Sequence, residues 1–171
     1  MTCATGGGIV RRHNRISRYL QEWLNAGRAD AEAILEQRML MPDGVMDITV
    51  GHGSQQVWVG VAVVSATSDC PRFISSRAKK DGVAARAEEA AKRRRYGARV
   101  RPFVLESGGR PGASARALLA EFALDDPTSS TDVALAWKGI SNILQSETAA
   151  SILKSWGGWH QVGRTCEIYM P

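Results

Sequence analysis

The chain has 171 residues, a hydrophobic fraction of 44% against 23% charged, and a formal charge of +5. That balance fits one domain with a real core and excludes a disordered chain; no apolar run approaches the roughly 18 residues needed to span a bilayer. Three cysteines (Cys3, Cys70 and Cys166) are odd in number and far apart, which excludes a disulfide framework and a closed zinc site.

In chain order, the first expected element is a helix over 14–26. Ile16, Leu20, Trp23 and Leu24 recur at helical spacing, with Asn14 as N-cap and Gly27 past the end. The segment 31–41 fits helix or strand. Pro42-Asp43-Gly44 signals a turn. A short strand follows over 45–50, then a turn over 51–54. The valine-rich run 56–66 reads as a buried strand pairing back as a hairpin, interrupted by a single glycine, Gly60.

A polar loop is expected over 65–81. Val83 to Tyr96 is a helix rich in alanine, glutamate and arginine, terminated by Gly97. A strand over 100–105 precedes the loop SGGRPG and a helix over 115–124. Asp125-Asp126-Pro127 breaks the pattern, and two more helices follow over 130–144 and 147–156, the last ending at Gly157-Gly158. This order indicates an α/β core, a mixed sheet flanked by helices, with a helical C-terminal extension.

Three places carry possible chemistry. Asp43 is either a turn residue or a carboxylate offered to a hard divalent cation. Asp47, inside the short strand, is expected to face solvent. Lys92 and Tyr96 stand four apart on one helix face, where an ammonium and a phenol could meet a phosphate. Arg11, Arg12, Lys79, Lys80, Arg93, Arg94 and Arg95 form basic clusters suited to a nucleic-acid backbone, or simply solvated helix ends. His13 has no evident partner. Trp23, Trp58, Trp137 and Trp156 are read as packing residues.

The ordered segments CATGGGIVRRHNRISRYLQEWL, MPDGVMDITV, VWVGVAVVSATS, AEEAAKRRRYG and VRPFVLESGGRPG resemble the restriction-like endonuclease region of non-long-terminal-repeat retrotransposon polyproteins, which has the PD-(D/E)XK nuclease fold. The resemblance covers roughly residues 3–124. It implies a restriction-endonuclease-like domain over 1–124, with 1–13 as the linker left after a lost zinc knuckle, and a helical extension over 125–171. It further implies Asp43 as metal ligand and catalytic residue, and Lys92 and Tyr96 as the lysine-x-x-x-tyrosine pair. The cofactor would be Mg²⁺ or Mn²⁺ without zinc. The partner would be DNA, with RNA or a reverse transcriptase supplied in trans as further partners, and no membrane. The location would be nuclear or otherwise intracellular, not secreted.

Members resembling this chain carry an aspartate where Gly60 stands. Its loss removes one of two anionic ligands, so the implied nicking of target DNA for reverse transcription would be impaired. Asp47, Glu36 and Glu106 are the other carboxylates placed to compensate. The competing expectations are a non-catalytic nucleic-acid-binding module and a decayed transposon remnant without activity.

Overall fold

The computed structural model describes residues 7–27, 31–38, 45–52, 55–65, 80–124 and 133–165. Helix α1 (Gly8–Gly27) leads into strands β1 (Ala31–Arg38), β2 (Val45–His52) and β3 (Gln55–Val64). Helix α2 (Val83–Tyr96) precedes β4 (Val100–Glu106), α3 (Ala113–Leu124) and the long α4 (Val133–Thr165). The sheet order is β1-β2-β3-β4, with β1/β2 and β2/β3 antiparallel and β3/β4 parallel. Among the described residues the fold is therefore mixed α/β: four strands packed against four helices. The expected hairpin between β2 and β3 is present, and the ambiguous segment from Ala31 is a strand.

Alternation along β3 separates two faces. Val59 and Val61 join Ile48, Val50, Phe103 and Leu105 in one core cluster. Against them pack Ile16, Leu20 and Leu24 of α1, Leu118, Leu119 and Phe122 of α3, and Ala136, Ile140 and Leu144 of α4. Phe103 is fully buried and stacks on Trp137, ring centroids 6.0 Å apart. Burying a side chain of that size contributes about 1.5–3 kcal/mol. On the opposite face Trp58 clusters with Met46 and Val100, and Tyr96 of α2 packs on them. Gly60 pairs with Pro102 of β4. A proline is tolerated there because β4 is an edge strand among the described residues.

The sheet is irregular at one rung. β1 and β2 pair at Leu35↔Ile48 and again at Gln37↔Met46, but not at Glu36 and Asp47 between them. Glu36 has φ 50, a left-handed backbone seldom adopted without glycine. Met46 and Ile48, two residues apart, accordingly join different clusters.

Two expectations are corrected. Helix α1 begins at Gly8, not at Asn14, because the residues before Asn14 have tertiary partners: Arg11 Nε donates to Glu147 Oε2 at 3.3 Å, alongside Arg15 Nη1 to Glu147 Oε1 at 2.7 Å. Residues 133–165 form one helix, not two, about 50 Å long at 1.5 Å per residue. The residues read as a break are absorbed by it, since Ser146 Oγ and Thr148 Oγ1 donate back to the carbonyls of Ile143 and Leu144. α4 runs antiparallel to α1, with Tyr19 Oη donating to the Leu135 carbonyl at 3.3 Å. Its Ala136, Ile140 and Leu144 share the main core, so the C-terminal helix is packed into the same body as the sheet.

Candidate functional site

Gly60 and Lys92 meet. β3 turns Gly60 toward α2, and a Cβ at position 60 would lie 3.3 Å from both Cδ and Nζ of Lys92 and 3.5 Å from Val100 Cγ2. The stem of the lysine thus lies over the glycine, with its ammonium at the point where a side chain would emerge. Lys92 stands on the inward side of α2 because Ala85, Glu89, Lys92 and Tyr96 recur at three- and four-residue steps, and Ala85 and Glu89 are buried. Tyr96 completes that face against Trp58 and Met46. α2 stops there because Gly97 takes φ 80 and its N–H caps the Arg93 carbonyl at 2.9 Å.

Asp47 lies one residue before the last β2/β3 pair, Ile48↔Val59, which puts it beside Gly60. It does not face solvent freely as expected. Its Oδ2 accepts from the Val61 N–H at 2.7 Å, and its Oδ1 lies 3.2 Å from His13 Nε2. His13, which had no evident partner in the sequence, is held above its ordinary pKa chiefly by the bond to Asp47; burial and the nearby Lys92 charge oppose that shift. α1 delivers His13 to this point because Ile16 and Leu20, the next turns of the same helix, are anchored in the core.

Asp43 and Lys79 lie outside the described residues. Of the other carboxylates, Glu36 is exposed, at the irregular rung opposite Asp47. Glu106 is buried and accepts from the Ala85 N–H at 3.3 Å, so it supports the start of α2. Glu89 is buried and accepts from the Ser114 N–H at 2.9 Å, tying α2 to α3.

The described residues do not fit a divalent cation. Among them no three His, Cys, Asp or Glu side chains converge on one point. The one carboxylate beside Gly60 among the described residues, Asp47, is engaged through both oxygens, and its neighbours there are the Lys92 side chain and a histidine drawn toward its cationic form. The arrangement suits an anion better than a metal.

The basic residues divide by location. Arg11 is held by Glu147, and Arg12 is only 3% exposed, its burial pushing the guanidinium pKa down. Neither offers a free cation at the surface. Lys80 and Arg94 are exposed. Arg95 lies over the Tyr96 ring at 5.1 Å, Arg99 over Trp58 at 5.8 Å, and Arg93 Nη2 donates to Ser114 Oγ. Arg86, Arg110 and Arg116, scattered in sequence, are brought together by the fold and were not apparent beforehand.

Among the described residues no helix is long and apolar enough to cross a membrane. No family model matches the chain, and no curated protein matches it.

Proposed function

We propose that the chain is a restriction-endonuclease-like domain of the retrotransposon type that holds nucleic acid without cutting it. The mixed sheet flanked by helices supports the fold reading. The observation that carries the functional one is the seating of Lys92 over Gly60: the lysine stands at a sheet position where the resembled family has a carboxylate, and no ligand atom is there.

In this reading Lys92 neutralises a phosphate that lies against β3 at Gly60. Tyr96, on the same helix face, orients it by hydrogen bonding, and Arg94 and Arg95 on the last turn of α2 contact neighbouring phosphates. Asp47 serves as the anchor that fixes His13 and the Val61 backbone rather than as a ligand. Among the described residues none beside Gly60 is free to activate a water: the one carboxylate there, Asp47, has both oxygens occupied.

The test is electrophoretic mobility shift of duplex DNA beside a denaturing gel of the same reaction. Retarded DNA with intact strands, and weaker retardation by Lys92→Ala, is the expected result. Failure to retard DNA at low salt would overturn the proposal.

A further inference from the structure

A second basic site lies away from Gly60, where the start of α2 meets the loop before α3. A cleft of about 300 Å³ opens there, lined by Arg86, Arg110 and Arg116 together with Gly82 and Gly112. Resting on the nucleic-acid reading above, we propose that this cleft binds phosphates of a nucleic-acid backbone.

Charge comes first. Three guanidiniums face one carboxylate, Asp81, which pairs with Arg110 at 2.5 Å but is 87% exposed and so only weakly neutralising. Glu89 adjoins Gly112, but its Oε1 already accepts from the Ser114 N–H. Arg116 Nη1 donates to the Pro111 carbonyl at 3.2 Å, which leaves its other donors for a ligand. Arg86 makes no side-chain hydrogen bond or ion pair among the described residues. Planar guanidiniums match phosphate oxygens two donors at a time, which lysines do not.

The walls are also held in place. The loop is tied by Glu106 N–H to the Arg110 carbonyl, Gly109 N–H to the Glu106 carbonyl, and Gly112 N–H to the Val104 carbonyl, each 2.8 Å. Gly109, at φ 93, makes the reversal that brings Arg110 to the cleft. A guanidinium fixed on such a loop loses little further entropy when it meets a ligand.

The occupant is a polymer rather than a single phosphate because the charge continues. Arg93 is seven residues beyond Arg86, on the same side of α2, with its guanidinium at Ser114 of α3. Arg94 and Arg95 follow and lead round to Tyr96 and Lys92. The basic track therefore runs from the cleft along α2 to the Gly60 site.

The experiment measures binding of a short labelled DNA duplex by fluorescence anisotropy across a KCl series. Wild type is compared with Arg86→Ala, Arg86→Lys and Arg86→Ala/Arg116→Ala, with inorganic phosphate as a competing probe. The slope of log K against log salt should become shallower by about 0.9 for each arginine removed, and Arg86→Lys should keep the wild-type slope. An unchanged slope in Arg86→Ala would overturn the cleft while leaving DNA binding elsewhere intact. Absence of duplex binding by the wild type would overturn both readings. Millimolar phosphate that abolishes the difference between wild type and Arg86→Ala without the slope changing would assign the cleft to free phosphate instead. Arg86 has no bond to lose among the described residues, so its variants decide the matter even if removing Arg116 prevents folding.

Discussion

Restoring a carboxylate at position 60 tests the geometry at the centre of the molecule. In Gly60→Asp the new Cβ would lie 3.3 Å from Cδ and Nζ of Lys92, the mobile end of a long side chain, so a shift of a few tenths of an ångström admits it. The carboxylate would then sit against the ammonium. At about 4 Å and an effective dielectric constant near 20, their attraction is about 4 kcal/mol. Desolvating a carboxylate on the buried face offsets most of that. Replacing glycine within a strand returns roughly 0.5 kcal/mol. Gly60→Asp should therefore fall within about 1 kcal/mol of wild type. In a Lys92→Met background the same substitution leaves a carboxylate with no cation from α2, and the loss should be about 3 kcal/mol. A double-mutant cycle by urea denaturation should give a coupling of about 3 kcal/mol. A coupling below about 0.5 kcal/mol would refute the placement of Lys92 over Gly60.

Three further outcomes are expected. His13 has a folded-state pKa above its unfolded value, so its stabilising bond to Asp47 is fully present below the unfolded pKa and lost as pH rises through the folded one. An NMR titration of the ring should show that raised pKa fall in Asp47→Asn, and stability above neutral pH should become flatter; an unmoved pKa would deny the contact. Glu147 is held below the usual carboxylate range chiefly by Arg15, with Arg11 helping against burial, so its contribution is present above its unfolded pKa and lost as pH falls through the folded value. Glu147→Gln should cost about 2 kcal/mol in chemical denaturation at neutral pH, and a cost near zero would mean the α1–α4 seam does not depend on it. Gly112→Ala would press a methyl into the Glu89 carboxyl, whose Cδ would be 3.0 Å away, and toward the Val104 carbonyl oxygen at 3.3 Å. Because Glu89 is bonded to Ser114, it cannot yield freely. The substitution should lower stability by about 2 kcal/mol, and a neutral effect on the thermal midpoint would contradict that packing.

Much of the fold was legible in the residues because local and global preferences agree. α2 spans 83–96 as expected, since alanine, glutamate and arginine favour helix and Gly97 supplies a positive-φ stop. The valine run pairs with its neighbour because a hairpin is the shortest way to bury it. The errors arose where distant partners decide. Asn14, read as an N-cap, places the helix start at residue 14, yet Glu147, 132 residues beyond Arg15, holds Arg11 and Arg15 and extends the helix to Gly8. Ser146, Glu147 and Thr148 resembled a helix start, but their side chains bond to the preceding carbonyls or to α1 and the helix continues. At the site, Lys92, Tyr96 and Gly60 could be singled out because their spacing is local to α2 and β3. The His13–Asp47 contact and the meeting of Arg86, Arg110 and Arg116 could not, because each joins elements far apart in the chain.

The central claim is that the site beside Lys92 grips a phosphodiester and cannot break one. Incubating the protein with supercoiled plasmid in Mg²⁺, and in parallel in EDTA, then separating bound, supercoiled and relaxed forms, tests both halves at once. The account predicts equal retardation in the two buffers and no relaxed circles above background. Relaxed circles that form in Mg²⁺ and vanish in Lys92→Met would contradict it, showing that Gly60 does not silence the site.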